Sequence, residues 1–169
     1  ILGPEMKSTG EVMGIADSFG EAFAKAQIAA GEKFPLTGNV FISVNDRDKT
    51  KIIPIAKKLM AQGFNILATQ GTAAILKDAG LTVKDVLKVN EGRPNIADMI
   101  RNKEVQLIIN TPIGKLAHDD DKVIRQSALL YKVFTITTIS AATAMVVAVE
   151  KVQHHKLTVK SIQEYYQEA

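Results

Sequence analysis

Hydroxyl, amide and ammonium side chains stand together at the ends of the short apolar runs of this 169-residue chain. Ser43 precedes Asp48 and Lys49, Thr69-Gln70-Gly71-Thr72 follows the run ending at Ala68, and Lys88, Asn110-Thr111 and Thr137-Thr138 close later runs. No histidine and no carboxylate pair stands among them, and donors outnumber acceptors. That inventory suits holding an anion rather than moving a proton. Thr69-Gln70-Gly71-Thr72 is the sharpest element: a glycine lets backbone approach an oxyanion, and a hydroxyl at a helix start completes a phosphate cradle. An N-capped turn between strand and helix uses the same residue types, and composition alone favours neither reading. Lys49 and Lys88, expected at the same edge, add charge on the side of the cradle.

Other groups carry less chemistry. In His118-Asp119-Asp120-Asp121 consecutive side chains point apart and cannot close around one ion, so aspartates facing a helix macrodipole account for the run. His154-His155 reads as a solvated helix end, and Asp98, after Glu91-Gly92-Arg93-Pro94, as a surface carboxylate rather than a lone general base. Neither a Walker loop nor a GxGxxG fingerprint is present, so autonomous ATP or dinucleotide binding has no support. With no cysteine, thiol catalysis, iron–sulfur clusters, cysteine zinc sites and disulfides are excluded, and a reducing cytoplasm fits. A net charge of +3, aromatics at 5% and no Trp exclude a nucleic-acid stripe and leave a small anionic partner. The longest apolar run, 144–149, falls far short of the ~20 residues that cross a bilayer, so neither a membrane span nor a signal segment is expected.

The elements that must position these groups follow from the patterning. Hydrophobic residues make up 46% and charged residues 23% of the chain, with mean hydropathy +0.05, the balance of one globular domain. From Asn39 onward short apolar runs alternate with amphipathic ones, the mark of parallel βαβ units. Strands are expected at 40–44, 64–68, 86–89, 105–109 and 133–136. Helices are expected on the stripe Ile52, Ile53, Ala56, Leu59 and Met60, then at 72–78, 94–103, 120–130 and 140–151. Pro54 would kink the first of these unless it lies near the first turn. A last helix is expected to open at Thr158 and to be buried through Ile162, Tyr165 and Tyr166. Before Asn39, Ser18 and Glu21 have capping-box spacing and open a helix to about residue 30. Phe34-Pro35-Leu36-Thr37-Gly38 then marks a boundary between 1–37, the end of a preceding domain with a linker helix, and the compact unit 38–169. The opening Ile1-Leu2-Gly3-Pro4, without an initiator methionine, reads as a piece of a longer protein.

The motifs themselves carry a resemblance. FISVNDRDK at 41–49, ATQGTA at 68–73, KVNEGRPNIADMI at 88–100, IINTPIG at 108–114 and IRQSALLYKV at 124–133 closely resemble the C-terminal allosteric domain of carbamoyl phosphate synthetase large subunits. LGPEMKSTGEVMG at 2–14 resembles the end of the second ATP-grasp domain, which precedes the allosteric domain in that family. The resemblance implies a methylglyoxal-synthase-like, Rossmann-like α/β fold: a parallel sheet of about five strands flanked by helices. It also implies a segment that regulates rather than catalyses, binding a nucleoside monophosphate such as UMP or IMP. The pocket carried over is Ser43, Lys49, Thr69, Thr72, Lys88, Val89, Asn110 and Thr111, with Lys115 where the pattern has a basic residue. Pro112 stands where the pattern has a threonine. For an ornithine site against the preceding domain Thr137 matches, whereas Thr135 stands where the pattern has a tyrosine.

The function implied is allosteric control of glutamine- and ATP-dependent carbamoyl phosphate synthesis for pyrimidine and arginine biosynthesis, in the cytoplasm. The fragment itself would need no cofactor, whereas the parent enzyme would use ATP with a divalent metal. Its partners would be the rest of the large subunit, the glutaminase small subunit and, in one arrangement, further copies of itself. Two other readings stand beside this one. A methylglyoxal-synthase-type lyase would eliminate phosphate, but its aspartate-centred glycine-rich catalytic segment and its histidine are not reproduced here. A purely structural oligomerisation domain would leave the pocket empty.

Overall fold

A computed structural model describes residue 10, residues 12–112 and residues 118–167 of the chain. Five parallel strands form one sheet in the order β3-β2-β1-β4-β5, with β1 Gly38–Val44, β2 Phe64–Ala68, β3 Val83–Asp85, β4 Leu107–Thr111 and β5 Phe134–Ile136. Because side chains alternate across each strand, the two faces receive different residues. Val40, Ile42, Leu107 and Ile109 face one layer, packed with Ile52 and Leu59 of α2 (Lys49–Ala61), Leu76 of α3 (Gln70–Asp78), and Met145 and Val149 of α6 (Ile139–His154). Phe41, Leu67 and Ile108 face the other, covered by Ile96 and Ile100 of α4 (Ile96–Arg101) and by Ile124 and Ala128 of α5 (His118–Tyr131). Burial on both faces is why β2 and β4 read as nearly unbroken apolar runs.

The chain's first helix, α1 (Phe19–Ala29), is capped by Ser18, whose side chain accepts the Glu21 N–H. It lies against α6 so closely that a Cβ on Gly20 would come within 2.9 Å of Val147. Glu21, expected to complete a capping box, pairs with Lys25 at 3.1 Å. Phe34, at the start of the expected boundary, packs edge-on against Phe134, with ring centroids 5.8 Å apart. Pro54 is the sixth residue of α2, and the helix continues through it to Ala61. Among the described residues no helix is long and apolar enough to cross a membrane.

Several expectations need correction. The third strand is Val83–Asp85 rather than 86–89. It is an edge strand paired to β2 alone, so it needs no apolar run, and Val86 instead turns into the α4–α5 layer. The fourth helix begins at Ile96, not at Pro94, because Asn95 and Asp98 form a capping box there. The last helix, α7 (Ile162–Gln167), opens at Ser161, which exchanges hydrogen bonds with Glu164, and not at Thr158. Its tyrosines are not buried as expected, Tyr166 being 80% exposed and Tyr165 half-buried with its hydroxyl donating to the Ile15 carbonyl at 3.1 Å, while the Ile162 side chain lies outside the described residues.

Candidate functional site

The connections place the crevice. From β1 the chain steps outward to β2 and β3, then crosses back to β4 on the other side of β1 and continues to β5. The strand order therefore reverses between β1 and β4, and in open parallel sheets ligands lodge beyond the carboxyl ends of the strands at such a point. Ser43 and Asn110 are register partners there, as are Val44 and Thr111.

One strand over, the start of α3 departs from an ordinary capped turn. Thr69 occupies the N-cap position with an extended backbone, yet its side chain makes no cap hydrogen bond. Its hydroxyl donates instead to Ser43 Oγ at 3.4 Å, and Thr72 Oγ1 accepts the Val44 N–H at 3.3 Å. Both threonines are buried. The hydroxyls thus tie β2 and α3 to β1, while the first N–H groups of α3 carry no side-chain acceptor. Lys49 supplies the charge: a Cβ on Gly71 would lie only 3.4 Å from its Nζ, so the ammonium stands directly over the glycine at the helix start. The Lys49 side chain is 23% exposed and pairs with Asp46 at 2.6 Å.

Asn45 holds the loop that carries Lys49. Its Oδ1 accepts the Arg47 N–H at 2.9 Å, and its Nδ2 donates to Asp48 Oδ2 at 2.6 Å and to the Thr111 carbonyl at 2.8 Å. This residue escaped the sequence reading, because an Asn ahead of an Asp-rich turn looks like any turn residue. The ends of β1 and β4 are thereby locked together through Asn45 and Thr111. Burial pushes the Asp48 carboxyl up, but hydrogen bonds from Asn45 and Thr111 and the neighbouring Lys51 outweigh it and hold it below the ordinary carboxylate range.

Asp121 was likewise missed. Expected to face a helix macrodipole with its neighbours, it is turned inward, buried, with Oδ1 accepting from Asn110 Nδ2 at 2.6 Å and Oδ2 paired to Arg125 at 2.7 Å. The i, i+4 spacing to Arg125 is the signal in the sequence that could have separated it from the other aspartates.

Not every expected residue joins this group. Lys88 is exposed where the chain enters the 3-10 turn Val89–Glu91, and its N–H donates to Glu91. Val89 packs into the layer beneath α4 and α5. Thr137 is exposed, one residue beyond Ile136, which lies in register with Ile109. Pro112 follows β4, half-buried, and Lys115 lies outside the described residues. Asp98 accepts the Asn95 N–H at 3.2 Å and faces Arg93 and Arg101, so its carboxylate is committed to capping the start of α4. Among the described residues no cluster of His, Cys, Asp or Glu could hold a metal ion. A groove of about 360 Å³ lined by Met13, Ile15, Ile28, Val159 and Tyr165 lies away from these strand ends.

The family model of the MGS-like domain matches residues 51–137, from the first turn of α2 to the residue after β5. The chain belongs to the MGS-like domain family. It is 53% identical over 165 residues to the carbamoyl phosphate synthase large chain of Nostoc sp., covering 98% of this chain and 15% of that one. With the C-terminal section of the Methanopyrus kandleri large chain it shares 53% identity over 167 residues, 98% of this chain and 31% of the relative. The MGS-like chain thus spans less than a third of the length of these relatives. Among solved structures, methylglyoxal synthase from Elizabethkingia anophelis superposes with a TM-score of 0.56 at 14% identity, over 80% of this chain and 93% of that one, a likeness of fold.

Proposed function

We propose that this MGS-like domain binds a nucleoside monophosphate of the UMP or IMP class at the ends of β1, β2 and β4. We propose further that it thereby regulates glutamine- and ATP-dependent carbamoyl phosphate synthesis by a longer cytoplasmic chain. The observation that carries this reading is the Lys49 ammonium standing over Gly71 at an uncapped helix start. A phosphate placed there meets backbone N–H groups, the positive end of the α3 dipole and one ammonium. The Thr72 hydroxyl, already accepting from Val44 N–H, has its own proton to donate, and so does Ser43. Asn110 and Thr111 lie at the same strand ends, the resemblance alone adds Lys88, Val89 and Lys115 to the proposed pocket, and Thr137 would face an ornithine site against a preceding domain whose end and linker helix would be residues 1–37. Regulation follows from linkage: the effector shifts the upstream chemistry only as far as it binds the active and inactive arrangements differently.

Calorimetric titration of the chain with UMP, IMP and inorganic phosphate tests the reading. Binding of one nucleotide is expected, weakened by Lys49→Ala about tenfold to a hundredfold, the worth of a hydrogen bond to a charged group. Unchanged affinity in a folded Lys49→Ala protein would place the phosphate elsewhere.

A further inference from the structure

Asn110 presents a choice that its neighbour has already made. A carboxamide offers an acceptor on one side and two donors on the other, and turning it by half a revolution exchanges them. An ionised carboxylate only accepts, so with Asp121 Oδ1 2.6 Å away the Asn110 nitrogen must face it. Asp121 is itself buried, and its charge is held in place by Arg125 at 2.7 Å. Among the described residues no hydrogen bond reaches the opposite atom, Asn110 Oδ1. Ser43, the register partner of Asn110, stands beside it on the same face of the sheet.

We propose that Asp121 is a positioning residue that locks Asn110 with Oδ1 toward the crevice, so that the β4 end reads a hydroxyl donor on the ligand. This rests on the nucleotide reading above and adds the ligand's direction: the anion lies over Gly71, and a sugar hydroxyl lies across β1 at Asn110. An oxyanion is repelled at the β4 end, because there it meets an amide oxygen with a carboxylate behind it. Asp121→Asn removes the constraint while keeping the shape, since an amide at 121 accepts or donates and Asn110 is then free to turn.

The test compares UMP with its 2′-deoxy and 3′-deoxy analogues and with inorganic phosphate, each titrated into the wild-type chain and Asp121→Asn. The wild type should prefer UMP to one of the deoxy analogues by about tenfold, the upper worth of one neutral hydrogen bond. In Asp121→Asn that ratio should fall toward one, with phosphate affinity unchanged. A general loss of packing would instead weaken every ligand alike. A ratio that survives Asp121→Asn, or no discrimination in the wild type, overturns the proposal. Exchange of the Asn110 side-chain NH2 protons, followed by NMR without ligand, separates this inference from the nucleotide reading: protection in the wild type, lost in Asp121→Asn, is expected. Rapid exchange in the wild type sinks the positioning role whether or not UMP binds, whereas protection with no UMP binding sinks the nucleotide reading alone. If Asp121→Asn does not fold, Arg125→Gln, which loosens the carboxylate, should reduce both the protection and the ratio, and no change in either contradicts the proposal.

Discussion

Lys49 is shared between two anions. Asp46, 91% exposed, holds its ammonium at 2.6 Å, and the hydrogen bond and charge of Lys49 keep that carboxyl below its ordinary range. A phosphate over Gly71 must draw the ammonium away from Asp46, so Asp46→Asn should strengthen binding of UMP or phosphate. An exposed pair of this kind is weak and screened by salt, so the gain should be no more than about fivefold and should shrink with added salt. Titration at low and high ionic strength checks both parts. Pro112 carries a second expectation of a gain. It has no N–H and no hydroxyl where the resembling pattern has a threonine, so Pro112→Thr should strengthen nucleotide binding by about 0.5–1.5 kcal/mol if a contact is missing. A loss of affinity would show that proline preorganises the loop after β4.

At the scale of elements, the α3 start separates stability from binding. The backbone at Gly71 is helical, so Gly71→Ala should hold or raise the melting temperature, alanine being the better helix former. The added methyl would fill the space beneath Lys49 Nζ, and phosphate affinity should fall at least severalfold. The loop between β1 and α2 adds a pH signature through Asp48. Its carboxyl lies below the ordinary range, so its contribution to stability is complete above that range and disappears as pH falls through the lowered value. Asp48→Asn should therefore flatten the acid-induced drop in melting temperature between about pH 4 and pH 2.

These elements also show what the sequence could reveal. β2 was legible to the residue because a central strand covered on both faces needs a nearly unbroken apolar run, here Phe64–Ala68 interrupted only at the exposed Asn65. β3 was not, since an edge strand with two exposed residues in three gives no such signal. Lys49 and the Thr69–Thr72 turn were legible as donors at strand ends. Asn45 and Asp121 were not, because their roles depend on partners 66 and 11 residues away.

For the whole molecule, the crevice depends on the sheet that aligns its strand ends. Ile108, fully buried beneath α4 and α5, sits two residues before Asn110. Ile108→Ala should cost about 2–5 kcal/mol in denaturant unfolding, a loss that Lys49→Ala at the rim of the crevice should not share. The central claim, that the ends of β1, β2 and β4 form one nucleotide site, is tested most directly by backbone NMR of the chain titrated with UMP. The largest shifts are predicted at Gln70, Gly71 and Thr72, with a second group at Ser43 and Asn110. Shifts confined to the groove of Met13, Ile15 and Tyr165, or none at saturating UMP, would contradict it.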